Sequence, residues 1–242
     1  MDRFFYLVKT NKQALALRNY HFPAHNYLQL QVAFQHIFQS DRLLQLPYQR
    51  IHIALLSPTT TLIPVDLYDP ARTRLYLEHN AMLNEEHIVL EDKLHDVGTH
   101  QVYAFNRTIF ETVHTQFPTA EFGHALSSLI RAYGVFNKGT TVYANLIGTY
   151  IQIVVFAGKK LLFANTFTQH SDKDVMYFIG LIFNQLKLDW KKNHLILSGE
   201  IMPDSLTYFT LQKYIKYVKF IDTPKYIFKH DKAPDGYRFF VL

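Results

Sequence analysis

Hydrophobic and polar positions follow the same order twice along this chain. Residues 4–57 are patterned as a strand, a tight turn, a second strand, a helix and a third strand, and residues 152–198 repeat that order. The two hairpins are FFYLVKT-NK-QALALRNYHF and IQIVVFA-GKK-LLFANTFTQ. A repeat of such long period predicts the architecture more strongly than any single motif in the sequence. We therefore expect two similar α/β lobes that face each other across a cleft.

Helix start signals and turn residues predict the remaining elements. We expect Asn106 to cap one helix, Ser171 and Asp174 to form a capping box at a second, and Pro203 to occupy the first position of a third. Tyr133-Gly134, followed by Asn137-Lys138-Gly139, is the strongest turn signal near the middle of the chain. It divides the sequence into a first lobe of residues 1–134 and a second lobe of residues 135–242.

The repeated pattern resembles the actin-like ATPase fold, in which three antiparallel strands, a helix, a strand and further helix–strand units are given twice. Residues 102–133, VYAFNRTIFETVHTQFPTAEFGHALSSLIRAY, resemble the matching segment of actin-like pilus-assembly and cell-division proteins. The whole chain is similar to an uncharacterised bacterial protein family for which an actin-like fold is expected. The resemblance implies an α/β protein with the duplicated, ribonuclease H-like fold of actin-like ATPases, and two lobes whose mixed sheets are flanked by helices.

The same resemblance implies where a nucleotide would be held. Actin-like ATPases hold phosphates in two hairpin turns that carry Asp, Gly and Thr or Ser, because turn amides point at phosphate oxygens and the carboxylate positions hydrated Mg²⁺. The second of these turns matches residues 143–149, where Asn145 replaces the Asp and precedes Gly148 and Thr149. The strand beside the adenosine matches residues 195–199 and ends in Ser198 and Gly199.

Two departures make this candidate nucleotide site degenerate. Asn145 is neutral and cannot supply the anionic attraction for a hydrated cation. Glu200 stands where a second Gly would lie, and its side chain would block the base or oppose phosphate charge. The first phosphate turn is the larger departure, because the first lobe begins at the second strand of the repeat. Either that turn has been lost or the residues that form it lie upstream of Met1.

The amino-acid composition indicates the cellular location of the protein and the kind of partner it contacts. The chain has 242 residues with 48% hydrophobic side chains and no Cys, which excludes disulfides and thiolate chemistry and favours a cytoplasmic protein. Neither a secretory signal nor a membrane span is expected from the sequence. Ten of the basic residues lie in 187–242 against six acidic residues, so most of the net charge of +5 is in this last part. We expect its mixed Lys and Tyr surface to contact an unknown protein partner, and nucleic acid is the less favoured partner.

Other chemical patterns are weak. His21 with His25 and His95 with His100 have ligand-like spacing, but neither pair has a clear third ligand, so no metal site is predicted. The hydroxyl-rich segment 57–61 follows a strand, where it could contact a ligand or simply cap the next segment. Neither a Ser-His-Asp order nor a phosphate-binding Gly-Lys loop is present in the sequence, so no catalytic residue is assigned.

These observations favour a non-catalytic binding or scaffold module, a pseudo-ATPase with an actin-like fold, that needs no cofactor. The alternative is a nucleotide-binding ATPase that uses ATP with Mg²⁺ at the degenerate site. A basic RNA-associated protein is a third and weaker hypothesis. Affinity for Mg²⁺–ATP separates the first two, and salt-dependent RNA binding identifies the third.

Overall fold

The computed structural model of the chain describes residues 3–10, 13–22 and 26–221. The strands in this part are β1 (Arg3–Lys9), β2 (Ala14–His21), β3 (His52–Leu55), β4 (Thr60–Pro64), β5 (His87–Leu94), β6 (Thr99–Asn106), β7 (Glu121–His124), β8 (Thr140–Ile147), β9 (Tyr150–Ala157), β10 (Lys160–Thr168), β11 (His194–Gly199) and β12 (Tyr217–Phe220). The α-helices are α1 (Tyr27–Ser40), α2 (Thr73–Glu78), α3 (Arg107–Gln116), α4 (Ala125–Phe136), α5 (Asp172–Gln185) and α6 (Leu206–Tyr214).

The chain forms two compact units, and the change from the first to the second falls between Ser128 and Leu129, inside α4. The part of the β1–β2 hairpin from Phe5 to Arg18 groups with the second unit. The lobe boundary predicted after residue 134 lies further along the same helix. That division of the chain into lobes stays a prediction.

The second unit contains one mixed sheet with the strand order β10-β9-β8-β11-β12. The hairpin strands β8, β9 and β10 run antiparallel to one another, whereas β11 is parallel to both β8 and β12. The central strands β8 and β9 are buried along nearly their whole length because both faces of the sheet are covered. This explains why their sequences are almost continuously apolar instead of alternating.

Helix α5 covers one face of this sheet. Val175, Ile179, Ile182 and Phe183 project from it into the core that also contains Val142 and other inward residues of β8. The helix starts with the predicted capping box, in which the Ser171 hydroxyl accepts from the Asp174 amide and the Asp174 carboxylate accepts from the Ser171 amide. A backbone hydrogen bond from His170 is the main reason why the pKa of Asp174 is lowered.

The first unit divides its strands among smaller sheets. β3 and β7 form a parallel pair, and β4, β6 and β5 form an antiparallel sheet in the order β4-β6-β5. Helix α1 packs against α3, which also contacts β6, and an aromatic cluster includes two residues of α1. The cluster consists of Phe4, Phe22, Phe34, Phe38 and Phe117, with ring centroids 5.2 to 6.1 Å apart between its neighbours.

Several local predictions are met and some are not. Asn106 caps α3 by accepting from the Ile109 amide, as expected. Pro203 does not start α6, because Ser205 is the residue that caps it, with its hydroxyl accepting from the Tyr208 amide. The acidic segment 83–97, which has no clear pattern, contains strand β5; pairing with β6 along its full length overrides its weak strand propensity. In the described part of the chain, no helix is long and apolar enough to cross a membrane.

Candidate functional site

The end of β8, the end of β11 and the β8–β9 turn bring the predicted nucleotide-site residues together. In the sheet register, Asn145 lies opposite Ser198 and Leu146 lies opposite Gly199. Gly148 and Thr149 form the turn that joins β8 to β9. The sequence therefore correctly placed these candidate residues next to one another, although their role is a separate question.

Asn145 is engaged through both ends of its side-chain amide. Its Nδ2 donates to Gln152 Oε1 at 3.1 Å, and its Oδ1 accepts from Ser198 Oγ at 2.9 Å. Ser198 Oγ lies 2.9 Å from the hydroxyl of Tyr133 on α4, and Gln152 Nε2 reaches Thr166 Oγ1 at 3.5 Å. All five side chains are buried, so they form a closed polar network inside the second unit.

Tyr133 shows that this network lies in an apolar environment. Its ring is stacked on that of Tyr143 with centroids 4.1 Å apart, and burial raises its pKa. The sequence analysis did not predict a polar role for Tyr133. The signal for a network was the pair Asn145 and Gln152, which interrupt an otherwise apolar run, because polar groups in buried strands need hydrogen-bond partners.

The backbones of β8 and β11 approach each other closely at this site, and the approach requires glycine at position 199. Gly199 has a φ of +81°, and a Cβ there would collide with the carbonyl oxygen of Leu146 and lie 2.9 Å from Asn145 Oδ1. Gly148 has a φ of 54°, which suits the tight turn between β8 and β9. The end of β11 can therefore approach β8 only because residue 199 has no side chain.

Glu200 supplies a carboxylate to the turn that was expected to hold phosphate. Its Oε2 accepts from the Gly148 amide at 2.7 Å, while its own amide donates to the Leu146 carbonyl at 2.7 Å. The sequence analysis expected this side chain to oppose a nucleotide. In the structure this carboxylate accepts from the backbone donor that the resemblance assigns to a phosphate oxygen.

Gln169 binds the carbonyl side of the same turn. Its Nε2 donates to the Gly148 carbonyl and its backbone amide donates to the Thr149 carbonyl, both at 2.8 Å. The amide of Gly148 and the carbonyls of Gly148 and Thr149 are thus paired within the chain. These residues do not fit a Mg²⁺–nucleotide group, because Asn145 is neutral and enclosed and Glu200 already occupies the turn amide.

A second buried polar network lies at the carboxyl ends of β3 and β7 in the first unit. His124 Nε2 lies 2.9 Å from the Ser57 carbonyl, while Nδ1 accepts from the Leu126 amide at 3.1 Å and lies 2.7 Å from Gln101 Nε2. The Ser57 amide also lies 3.2 Å from Nε2, but the two donors at Nδ1 and the shorter contact of Nε2 with the Ser57 carbonyl suit the neutral imidazole with its proton on Nε2. Burial lowers the pKa of His124 to about 4, although the hydrogen bond to Ser57 acts in the opposite direction.

This network joins four elements and was not predicted from the sequence. Ser127 Oγ donates to Gln101 Oε1 at 2.7 Å, and the His124 amide donates to Asp92 Oδ2 at 2.7 Å. Through the Leu126 amide, His124 also caps α4, which starts at the next residue. These hydrogen bonds join the buried polar groups of this network to one another within the first unit.

The larger surface groove of the first unit lies between α1 and α3 and has a volume of about 280 Å³. Gln and Thr side chains dominate its lining, with Glu111 as the single titratable group and Gln31 Nε2 donating to Thr112 Oγ1 at 3.2 Å. A smaller pocket of about 120 Å³ contains Thr59, Thr60 and Thr61 of the hydroxyl-rich segment. Both linings offer hydrogen bonds and lack a charged pair for acid–base chemistry.

The remaining sequence candidates do not assemble into a further site. The His95 and His100 rings are 6.5 Å apart, and His100 is stacked on Tyr68 with centroids 3.9 Å apart. His25 lies outside the described residues, and within them no group of three potential ligands is placed to hold a metal ion. Lys213, Lys216 and Lys219 of the predicted basic surface are exposed, whereas Lys225, Lys229 and Lys232 lie outside the described residues.

The strand order of the second unit, preceded by the first α/β unit, defines an actin-like protein, and comparisons with solved structures agree. A Bacteroides thetaiotaomicron protein of unknown function with an actin-like ATPase fold superposes with a TM-score of 0.77 at 23% identity, over 86% of this chain and 81% of the other. The PilM–PilN type IV pilus biogenesis complex gives a TM-score of 0.55 at 12% identity, over 91% and 84%. The chain has the duplicated actin-like ATPase fold.

The family assignment is more specific than the fold. The chain belongs to the family described as "Protein of unknown function (DUF3822)", whose model matches residues 2–218. No curated protein matches the chain. The resemblance drawn from the sequence, to an uncharacterised family with an actin-like fold and to actin-like pilus-assembly proteins, is confirmed.

Proposed function

We propose that this protein is a non-catalytic, actin-like binding module, a pseudo-ATPase that uses its fold to contact a protein partner. The observation that carries the proposal is the hydrogen bond from the Gly148 amide to the Glu200 carboxylate at 2.7 Å. A γ- or β-phosphate at this turn would need that amide and would be repelled by the carboxylate.

The surroundings of Asn145 support the same proposal. Phosphoryl transfer in a nucleotide site depends on a positioned cation and on donors aimed at the phosphates. Asn145 brings no charge, and its amide is already shared between Ser198 and Gln152 in a buried network. Opening the site would therefore break several internal hydrogen bonds before any ligand bond formed.

A protein partner is favoured over a small-molecule substrate. The groove between α1 and α3 is open and rich in Gln and Thr, whose side chains can bond to a peptide backbone. The similar PilM structure was solved as a complex with PilN, which is a protein partner of that molecule. We place the protein in the cytoplasm of a bacterium on the composition and family resemblance alone.

The direct test is ATP binding and hydrolysis in the presence of Mg²⁺. We expect phosphate release no faster than in buffer, and no stabilisation of the protein against heat by Mg²⁺–ATP. Asn145→Asp should also remain inactive, since one carboxylate does not restore the donors that Glu200 occupies. It should lower the free energy of unfolding by roughly 2 kcal/mol, because it places a charge in a buried network.

The alternative, a nucleotide-binding ATPase, predicts a different result. Mg²⁺-dependent phosphate release that disappears in Gly148→Trp would contradict the proposal. The substitution fills the turn of this protein, whereas the activity of a contaminating ATPase would not change. Glu200→Gln is the matched control for charge. Mg²⁺–ATP binding by this variant and not by the wild type would support the proposal, because it would show that the Glu200 carboxylate excludes the nucleotide.

A further inference from the structure

Strand β3 of the first unit corresponds to β11 of the second, but among the described residues only β11 is paired with a neighbouring strand along both of its edges. In the second unit, β11 pairs in parallel with β12 on one side and with β8 on the other. In the first unit, β3 pairs in parallel with β7 in the same way, and α1 precedes β3 as α5 precedes β11. The edge of β3 opposite β7 therefore corresponds to the edge of β11 on which β8 lies.

The backbone direction shows which groups face this edge. The Ile51 carbonyl accepts from the Glu121 amide at 2.9 Å, so Ile51, Ile53 and Leu55 turn their backbone groups toward β7. Backbone groups alternate along a strand, which leaves those of His52 and Ala54 pointing to the opposite edge. Both residues are exposed, and within the described part of the chain their backbone groups on that side have no hydrogen-bond partner.

Other outer edges carry features that discourage pairing with a foreign strand. β10 has a register shift between Leu161 and Phe163, and β12 carries Lys219. On β7, the outward amide of His124 is already bound by the Asp92 carboxylate at 2.7 Å. The sequence of β3, HIAL, contains no Lys and no Pro, and its pairing with β7 is regular.

We propose that the free edge of β3 binds an extended strand from a partner protein, by addition of that strand to the β3–β7 sheet. The added strand lies parallel to β3, as β8 lies on β11. The proposal deepens the proposed function by naming the kind of partner contact, and it concerns backbone recognition of the type seen when a peptide extends a sheet.

The neighbouring side chains define the chemistry of this strand. Leu55 is buried and Ile53 half-buried, so residues of the partner beside them must be apolar. On the opposite face, His52 Nδ1 lies 3.1 Å from Glu121 Oε2 and both side chains are largely exposed, which favours polar residues there. Strand β8 offers a comparison, because Val142, Ala144 and Leu146 face the core and its opposite face carries the polar atoms of Tyr143 and Asn145. The partner segment is therefore an alternating apolar and polar strand without Pro.

The test uses a synthetic peptide that copies β8, TTVYANLI, with lysines added at its end for solubility. Amide hydrogen exchange of the full chain is followed by NMR with and without the peptide. We expect exchange of the His52 and Ala54 amides to slow by about tenfold or more at saturation, since exchange then requires release of the added strand. The amide of Ile53, which faces β7, should change little.

Two controls separate strand addition from nonspecific contact. A peptide with N-methylation of alternate amides cannot pair with the edge and should give no protection. Ala54→Pro removes the outward donor and should weaken binding at least about tenfold, while Ala54→Val keeps it and should bind as the wild type does. The methylated peptide needs no change in the protein, so the test holds even if Ala54→Pro folds poorly.

Three results would overturn the proposal. The first is unchanged exchange at His52 and Ala54 in the presence of saturating peptide. The second is equal binding of the methylated peptide. The third is a dimer of the chain itself that protects the same amides in the absence of peptide, which would make a second copy the occupant. Mg²⁺–ATP binding is measured separately, so failure here leaves the pseudo-ATPase proposal standing, and the reverse also holds.

Discussion

At the scale of single residues, His124 combines complete burial with hydrogen bonds to three elements. Its Nδ1 faces two donors, the Leu126 amide and the Gln101 side-chain amide, at 3.1 and 2.7 Å. A proton on Nδ1 would place three donors against one another. The other ionisable groups nearby are Asp92, which accepts from the His124 amide, and Tyr103, whose ring centroid lies 4.8 Å from the imidazole.

This arrangement predicts acid sensitivity. The pKa of His124 is about 4 in the folded chain and 6.5 as its ordinary value. The unfolded state therefore binds the extra proton between these values, so stability is fully present above the ordinary value and is lost as pH falls toward the folded one. Lowering the pH from about 7 to about 5 should cost roughly 2 kcal/mol of unfolding free energy through this residue alone.

Urea unfolding of the wild type and of His124→Gln at both pH values measures this contribution. The variant is less stable at neutral pH but should lose less stability on acidification, by the difference assigned to His124. The chain has 13 His residues, and others can also titrate in this range. The contribution of His124 is therefore the difference between the two proteins in the unfolding free energy that each loses from the higher to the lower pH. Parallel losses in the two proteins would show that His124 does not carry the acid sensitivity.

At the scale of elements, the junction of β8 and β11 shows how a strand can end against its neighbour. Gly199 continues the parallel pairing as far as Leu146, and then Glu200 turns back to bond Leu146 and Gly148. The positive φ of Gly199 permits this change of direction. The sequence assigned Gly199 to a candidate nucleotide site, and in the structure its missing side chain permits the close approach of β11 to β8.

Gly158 and Gly199, two of the three glycines with positive φ in this unit, predict a measurable contrast in stability. Gly158 has a φ of +59° and open space around its missing Cβ, so Gly158→Ala should cost only about 1 kcal/mol for the left-handed conformation. Gly199→Ala adds a collision with the Leu146 carbonyl and should cost at least about 3 kcal/mol. Thermal or urea unfolding of both variants checks the order. Equal costs would mean that the close approach of β11 to β8 is not as described.

At the scale of the whole molecule, α4 belongs to both compact units. Leu126 and Ser127 are buried within the first unit, and Ile130 and Tyr133 are buried within the second. Because helix formation is cooperative, we expect unfolding of the part of α4 in one unit to destabilise the part in the other and so to couple the two units.

This coupling predicts a single unfolding transition. Trp190 is the one tryptophan of the chain and packs against Phe183 in the second unit, with centroids 4.7 Å apart. Ile109 is buried in the first unit, and Ile109→Val should cost about 1 kcal/mol. We expect the unfolding midpoints measured by Trp190 fluorescence and by far-ultraviolet circular dichroism to fall by the same amount in this variant. An unchanged fluorescence midpoint would show that the units unfold independently, and Ile179→Val is the matched control in the second unit.

The sequence by itself determined the features that depend on residues close together in the chain. The repeated strand order and the caps at Asn106 and Ser171 follow from spacing and local hydrogen bonding, and they were predicted correctly. Strand β5 was not predicted, because its charged sequence has weak propensity and becomes a strand only by pairing with β6.

The tertiary structure alone decided which residues contact one another at the candidate site and in the buried network around His124. These contacts join residues far apart in sequence: Gly148 and Glu200 are 52 positions apart, Tyr133 and Ser198 are 65, and Ser57 and His124 are 67. No local pattern encodes such pairs, because each depends on the register of strands that meet only after folding. The sequence pointed to Asn145 and Glu200 as departures from a nucleotide site, and the folded sheet turned those departures into bonds that the protein makes with itself.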